Sequence, residues 1–137
     1  MASNLKYGTT AKAAQENALS TTAGPGATWT LYNGLQPASP DIAIGTQVVL
    51  VALVCGTPFA ATTTTGVLTM NAIASGTGTA AAGTGTAATW YRIASSTGVG
   101  IIDGTVGTSG CDLNMANVSI ASGQPVTINS STYTNAN

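Results

Sequence analysis

Beyond Gly26, short segments rich in Val, Ile, Thr and aromatic residues recur along the chain and alternate with Gly, Pro, Asn and Asp. Segments of this kind, bounded by turn-forming residues, are typical of the strands of an all-β sandwich or barrel. We predict strands over 27–32, 46–54, 66–74, 86–94, 100–106, 117–120 and 125–133. The predicted fold class is therefore all-β, an antiparallel β-sandwich or jelly-roll-like domain.

Two of these strands carry specific expectations about burial. The segment from Gln47 to Val54 is apolar at nearly every position, which predicts a central strand that is covered on both faces. Trp90 and Tyr91 are consecutive, and successive side chains of a strand point to opposite faces. We therefore expect one of these two rings in the core and the other at the surface.

A short helix is predicted before the first strand, over residues 9–22. Thr9 or Thr10 can act as its N-cap, and the Gly-Pro-Gly sequence at 24–26 ends it. The stripe expected to be buried, at helical spacing, consists of Ala11, Ala14, Ala18 and Leu19. At 137 residues and 13.4 kDa the chain has the usual size of one domain. We divide it into an N-terminal arm and short helix over 1–26 and a β-sandwich domain over 27–137.

Charged residues are unusually rare in this chain. They make up 5% of it, against about 25% in average proteins. The full set is Lys6, Lys12, Glu16, Asp41, Arg92, Asp103 and Asp112. A compact protein of this mass exposes about 6,500 Å² of surface. The surface area per charged residue is therefore roughly 900 Å², about the area that one partner buries in a standard protein interface. The composition therefore predicts a surface that another protein covers.

The same scarcity argues against several classes of function. With no His in the chain, a Ser, Thr or Cys nucleophile lacks its usual base, so we expect no enzyme, no catalytic residue and no cofactor. Three basic residues and a net charge of −1 cannot supply a phosphate-binding footprint, which argues against nucleic acid as a partner. The longest apolar run, from Val48 to Cys55, falls short of the roughly 20 residues that span a bilayer, so no membrane partner is expected.

A few polar residues have interpretations that the sequence leaves open. Cys55 and Cys111 have no CxxC pair and no His nearby, so we predict no metal site. Asp103 and Asp112 do not match the spacing of a calcium-binding EF-hand loop, and Asp103 with the following glycine is interpreted as a turn. Arg92 either pairs with Asp103 or Asp112 across strands, or anchors an interface.

No charge of either sign occurs from Ile42 to Tyr91. Soluble β-proteins usually guard their edge strands with charges, so the edges in this span are either closed within the fold or paired by another subunit. The span includes GTGTA twice, at 76–80 and at 83–87. We interpret this Gly-Thr stretch as a flexible loop or a bulged strand entry rather than a phosphate-binding loop, because no lysine follows it.

Three segments in the last third of the chain carry a resemblance to a known family. They are the Trp-aromatic-Arg strand at 90–92, DGTVGTSGCDLN at 103–114 and SIASGQPVTI at 119–128. Upstream, LYNGLQPASPDIAI at 31–44 and GVLTMNAIAS at 66–75 are similar to the middle of the same family. In combination these segments resemble a family of small virion proteins encoded in the structural gene region of tailed bacteriophages.

The resemblance implies a structural virion protein that decorates and cements the bacteriophage capsid. Its implied partner is the major capsid protein and its implied location is the capsid surface, with assembly in the host cytoplasm. By analogy with other cement proteins it implies a homo-oligomer, with a trimer favoured. Tyr91 and Arg92 are then the interface candidates, because Arg and aromatic residues are favoured in hot spots. The alternative is a tail or fibre component with a receptor- or carbohydrate-binding β-sandwich.

Overall fold

The computed structural model describes residues 4–79 and 86–134. These residues are 12% helical and 35% strand, which confirms the all-β class with one N-terminal helix. The helix is α1 (Thr9–Ala23). The strands are β1 (Thr28–Asn33), β2 (Val48–Val54), β3 (Val67–Thr69), β4 (Gly76–Thr77), β5 (Thr86–Ala87), β6 (Trp90–Ala94), β7 (Gly100–Gly107), β8 (Leu113–Asn114), β9 (Ser119–Ile120), β10 (Pro125–Val126) and β11 (Thr132–Thr134).

The longest strands form one curled, antiparallel-rich sheet of five strands in the order β2-β1-β6-β7-β8. Strand β1 pairs antiparallel with both β2 and β6, and β6 pairs antiparallel with β7. Strand β7 and the short β8 are parallel. The other described strands form two-stranded ladders, β10-β4, β11-β3 and β5-β9. The described part of the chain is thus built on one main sheet.

One face of the main sheet carries the hydrophobic core. Because side chains alternate along a strand, Trp29 and Leu31 of β1 share this face with Tyr91 and Ile93 of β6. All of these side chains belong to one buried cluster, which continues beyond the sheet to Phe59, Leu68, Ile120, Val126 and Ile128. The core therefore lies between the main sheet and the short ladders, which is the two-layer arrangement that a β-domain needs to bury a sheet face.

Helix α1 packs on the domain through small and polar residues. Ala13 and Ala23 are buried, and the Asn17 side chain donates to the carbonyl of Thr63 and accepts from its N–H. Gly8 is the N-cap, and Gly24 ends the helix with a φ of 65°. The predicted end is confirmed, whereas the predicted caps at Thr9 or Thr10 are wrong.

Three of the four residues predicted for the apolar stripe of the helix are not buried. Ala11, Ala14 and Ala18 are exposed, whereas Leu19 is half-buried and packs against the core as predicted. The buried side of α1 also includes Glu16. Hydrogen bonds from Asn17, and from Ser20 to Ala60, orient the helix, and alanine burial is too small to override them.

Within residues 4–79 and 86–134, no helix is both long enough and apolar enough to cross a membrane.

Several predicted strands are shorter or divided in the structure. The predicted strand over 86–94 is split into β5 and β6, and the one over 125–133 is split into β10 and β11. Strand β4 lies in the Gly-Thr stretch, and residues 80–85 of that stretch fall outside the described residues. Asp103 and Gly104, predicted as a turn, lie inside β7. A glycine is needed there because Gly104 is the cross-strand partner of Tyr91, whose ring covers it.

Strand β2 is the last strand of the main sheet, and its outer edge is covered by the chain itself. The N–H of Ala74 donates to the carbonyl of Val54 over 2.9 Å, and the N–H of Thr79 donates to the carbonyl of Leu50 over 2.7 Å. Residues 74–79 therefore lie along β2 and bind two of its edge carbonyls. Of the two alternatives for the edges of the uncharged span, the structure shows closure within the fold at this strand.

Candidate functional site

The face of the main sheet opposite the core, called here the outer face, carries three rows of side chains. The pairing registers place them across β2, β1, β6 and β7. The rows are Val54, Thr28 and Ala94; then Ala52, Thr30, Arg92 and Asp103; then Val49, Tyr32, Trp90 and Thr105. The β6–β7 half of this face holds charged and aromatic groups, whereas the β2 half is almost entirely aliphatic.

The β6–β7 half of the outer face is closed by the loop that follows β1. The guanidinium of Arg92 donates through Nη1 to the carbonyl of Ile42 over 2.7 Å and through Nη2 to the carbonyl of Ser39 over 3.2 Å. A side chain at Gly100 would collide with the Pro40 carbonyl, so the loop lies directly on β7. The loop carbonyls thus accept hydrogen bonds from Arg92 N–H groups that would otherwise donate to water.

Arg92 also forms a buried ion pair with Asp103, its partner in the neighbouring strand. The two side chains are 7% and 4% exposed, and the Asp103 carboxylate, by hydrogen bonding, raises the pKa of Arg92 above its usual value. The guanidinium carbon lies 5.6 Å from the centre of the Trp90 ring, and Trp90 stacks on Tyr32 with ring centroids 4.4 Å apart. These groups form one packed cluster under the loop.

The structure places both interface candidates inside the protein. Arg92 is 6% exposed and its partners are Asp103 and loop carbonyls, so of its two predicted roles the cross-strand pairing is observed. Tyr91 is 3% exposed and packs against Trp29 at 4.7 Å on the core face, where burial raises its pKa. Neither side chain presents a surface to a partner, because the sheet is covered on both faces at this point.

The expectation that one ring of the 90–91 pair is at the surface is therefore wrong. The two rings do point to opposite faces, but Trp90 is 1% exposed beneath the loop that packs on the outer face. The sequence pattern gives the alternation correctly. It does not indicate that a loop between β1 and β2 folds back over the second face.

The β2 half of the outer face is open, and it forms the candidate interaction site. Val49 and Val54 are 43% and 52% exposed, and Ala52 between them is exposed as well. We call these three residues the valine strip. The prediction that this strand is covered on both faces is wrong, because the loop after β1 covers β6 and β7 but not β2.

A cleft of about 570 Å³ lies between β1 and the covering loop. Thr28 and Thr30 lie along it on the β1 side, and Ile42 and Val99 lie along the other. Ile42 and Val99 are 48% and 59% exposed. Thr28 and Thr30 are the cross-strand partners of Val54 and Ala52, so the cleft begins next to the valine strip, and Asp41 and Arg92 also line it.

Few charged side chains are exposed on the surface of the folded protein. Three of the seven charged residues are buried, because Glu16 is 7% exposed and the Arg92 and Asp103 side chains form the ion pair. Among the others, Asp41 accepts from the Ser39 hydroxyl, and hydrogen bonds from Thr105 lower the pKa of Asp112. The folded protein thus exposes even less charge than its composition implies.

The described residues hold no cluster of metal-ligating side chains. No group of three or more Cys, Asp or Glu within residues 4–79 and 86–134 is placed to bind an ion. Cys55 and Cys111 are both free thiols, the first buried and the second half-buried. Burial raises the pKa of Cys55 to about 11, so its thiol stays protonated at neutral pH.

Comparisons of this chain with protein-family models, curated proteins and solved structures find no match. The likeness to phage virion proteins therefore stays a prediction that rests on the segments quoted above. The valine strip itself is a feature that sequence reasoning located but misread. Its signal in the sequence is the uncharged apolar run of β2, a pattern that by itself favours a buried strand.

Proposed function

We propose that this protein is a structural virion protein that decorates and cements a bacteriophage capsid lattice through protein–protein contacts. The observation that carries the proposal is the valine strip, an open row of aliphatic side chains on a sheet whose edge is already closed. The major capsid protein is the proposed partner, and the capsid surface is the proposed location. The contact is made by side chains of the outer face rather than by strand addition at β2.

The strip has the physical properties of a protein interaction surface. Contiguous exposed aliphatic side chains mark interaction sites in soluble proteins. Covering one half-exposed valine gains about 1 kcal/mol, so the two valines together supply a useful part of the binding free energy. Because no charge lies between Ile42 and Tyr91 in the sequence, β2 brings no side-chain charge that must be desolvated when it is covered.

The sequence likeness to phage virion proteins agrees with this interpretation. Its segments at 90–92 and 103–114 form β6, β7 and β8, which are adjacent strands of the main sheet. They include Arg92 and Asp103, whose ion pair fixes the loop that leaves the valine strip open. The likeness therefore falls on residues that shape the proposed binding face, and not on its exposed side chains.

The alternative of a carbohydrate-binding fibre module receives less support from the same face. Sugar binding by stacking needs an open aromatic ring beside polar groups. Tyr32 and Trp90 are the rings of the outer face, and they are 8% and 1% exposed and stacked on each other. Copy number per particle separates the two functions, because a lattice component is present in many more copies than a fibre component.

Lysine substitutions on the strip test the proposal. Val49→Lys and Val54→Lys place a charge on the outer face without changing a buried residue, and each is expected to reduce co-sedimentation with phage heads at least about tenfold. Val67→Lys is the matched control, since Val67 is 40% exposed but lies in the β3–β11 ladder. Equal binding by all three variants would contradict the proposed face.

The salt dependence of binding gives a second test on the unmodified protein. Salt at about 0.5 M shortens the screening length to roughly 4–5 Å, and an aliphatic contact is expected to keep its affinity under these conditions. A steep loss of head binding would instead indicate charge-driven attachment. Protein that ignores heads at every maturation stage but binds host surface polysaccharide would favour the fibre module.

A further inference from the structure

The segment that connects β10 to β11, residues 127–130, is called here the hinge. It contains no turn or bend, and burial alternates from Thr127 through Ile128 to Asn129, which is the pattern of an extended strand. Among the residues that the structure describes, no backbone hydrogen bond joins the hinge to another segment. Ile128 is its only buried side chain. The hinge is therefore a strand without a partner, held between its two flanking ladders by one side chain.

Strand β11, which follows the hinge, fills a defined place on β3. Three cross-strand pairs join the two strands, and the N–H of Met70 donates to the carbonyl of Ser131 over 3.0 Å. In the central pair, Leu68 is buried and Tyr133 packs against the core. Strand β11 of a second copy offers identical side chains and backbone groups to this place. Exchange of an identical element between copies is a low-cost route to oligomers.

A groove beside the hinge leaves room for a second strand. Its volume is about 490 Å³, and it lies between residues 113–117 and residues 124–130. No residue of its lining carries a charge. Neighbouring strands of a sheet lie about 4.8 Å apart, so a strand that paired with the hinge on this side would lie in the groove. The hinge of another copy is suited to this position, because it is extended, uncharged and unpaired.

Pairing of two hinges favours an exchanged pair of copies over single copies. In a two-fold exchanged pair, the β3–β11 contact is made twice between the copies, and the two hinges run antiparallel past each other. A register centred on Ile128 keeps both Ile128 side chains on the core side, because directly opposed residues share a face. Thr127 of each copy then lies opposite Asn129 of the other at the surface. The exchange thus adds a hinge ladder while every β3–β11 pair is kept.

We propose that two copies of this protein exchange β11, so that residues 132–134 of each copy pair with β3 of the other and the two hinges form an antiparallel ladder across the two-fold axis. Each copy then contributes Tyr133 to the core of its partner. Because β11 has to leave its own β3 first, the exchange is expected to be slow unless the protein is refolded at high concentration. This inference concerns self-association alone and does not rest on the proposed function.

Val67 and Thr134 are suitable positions for a cross-link that reports the exchange. They are direct cross-strand partners, and both are exposed. Hydrogen-bonded and non-hydrogen-bonded pairs alternate along an antiparallel ladder. Because Met70 is hydrogen-bonded to Ser131, the pair at 67 and 134 is non-hydrogen-bonded. The Cα atoms of such a pair are about 4.5 Å apart, which a disulfide can span.

Cross-linking between copies tests the exchange directly. In a Cys111→Ser background, tagged Val67→Cys protein and untagged Thr134→Cys protein are refolded together at high concentration and then oxidised mildly. A mixed disulfide dimer is expected, because exchange places position 134 of one copy opposite position 67 of the other. Val67→Cys mixed with Leu35→Cys is the control and is expected to give only background cross-linking, since Leu35 is 85% exposed and lies outside β3, β11 and the hinge.

A disulfide within one chain provides a matched comparison. In the same background, the double variant Val67→Cys with Thr134→Cys, oxidised at high dilution, ties β11 to its own β3. Light scattering of this oxidised protein after concentration is expected to show a monomer. The same variant refolded at high concentration in reductant is expected to be a dimer, like the unmodified protein. Equal dimer fractions in the two samples would overturn the exchange, because they differ only in the bond that prevents it.

Charges on the hinge test the ladder across the two-fold axis. Thr127→Lys with Asn129→Lys places like charges opposite each other in the dimer, whereas Thr127→Lys with Asn129→Glu places opposite charges there. Both positions are exposed in the single copy, so neither variant changes a buried residue. The first variant is expected to dimerise about tenfold more weakly than the second. Equal dissociation constants, or an unmodified protein that is monomeric after refolding at every concentration, would overturn the inference.

Discussion

The Nε and Nη2 atoms of Arg92 each lie 2.7 Å from a different carboxylate oxygen of Asp103, its direct partner in the next strand. The ion pair is bidentate, a geometry that fixes the relative orientation of the guanidinium and the carboxylate as well as joining them. The other guanidinium donors reach the carbonyls of Ser39 and Ile42. One buried charge pair therefore joins β6, β7 and the loop that covers half of the outer face.

Removing one member of this pair is expected to be costly. Asp103→Ala leaves a buried guanidinium without its counter-charge, which costs about 3–5 kcal/mol in the free energy of unfolding. The double variant Arg92→Met with Asp103→Leu is expected to be more stable than Asp103→Ala, because no charge then stays buried. Denaturant titration measures both, with Asp41→Ala, at an exposed carboxylate, as the control. Equal stability of Asp103→Ala and Asp41→Ala would contradict a buried pair.

The consecutive rings at 90 and 91 are expected to contribute similarly to stability. Trp90→Ala removes a ring that is packed between Tyr32 and Arg92, and Tyr91→Ala removes one that is packed against Trp29. Each truncation leaves a large cavity and is expected to cost about 3–5 kcal/mol. Chemical denaturation of the two variants provides the comparison. A much smaller loss for either one would mean that its ring is not held in the interior in solution.

The local fold was largely predictable from the sequence. The end of α1 at Gly24, the class of the domain and the positions of β1, β2, β6 and β7 follow from residue spacing and turn residues. The short strands β4 and β8 were missed, because two-residue ladders depend on partners that are distant in the chain. The prediction of the buried side of α1 failed for a similar reason. Side-chain hydrogen bonds to residues 60 and 63, which are distant in the chain, determine how the helix is oriented.

The candidate site was harder to predict because it depends on which faces are covered. An apolar strand such as β2 is consistent both with a buried position and with a binding surface. The loop after β1 could have packed over Val49 and Val54, and Arg92 decides that it packs over β6 instead, by binding the Ile42 carbonyl. A contact between residues so distant in sequence leaves no periodic signal in either segment.

Gly104 is expected to tolerate no side chain. A Cβ there would lie 2.5 Å from the ring of Tyr91, so Gly104→Ala has to displace a buried aromatic ring. Overpacking of this kind costs about 1–3 kcal/mol, measured as a shift in the midpoint of thermal unfolding. Gly8→Ala is the control, because no atom lies within 4 Å of a Cβ at that position. Similar midpoints for both variants would show that Tyr91 does not cover Gly104.

The two thiols are expected to react very differently. Cys55 is 3% exposed in the core and burial raises its pKa to about 11, so it is both inaccessible and protonated at pH 8. Cys111 is half-buried in the turn before β8. A thiol reagent is expected to label Cys111 in the native protein and both residues after denaturation, as mass spectrometry of the labelled peptides can show. Native labelling of Cys55 would contradict its place in the core.

Acid is expected to weaken the contact between Asp112 and Thr105. The N–H and hydroxyl of Thr105 each donate to the Asp112 carboxylate over 2.8 Å, and these bonds hold its pKa below the ordinary value of 3.8. Because the folded-state pKa is lowered, the stabilisation is fully present above the unfolded-state pKa and is lost as pH falls through the folded-state pKa. The difference in unfolding free energy between the unmodified protein and Asp112→Asn should therefore be constant at neutral pH and should shrink below about pH 4. Denaturant titrations of both proteins across this range measure it, and a difference that stays constant down to the most acid condition would mean that the carboxylate gains nothing from Thr105.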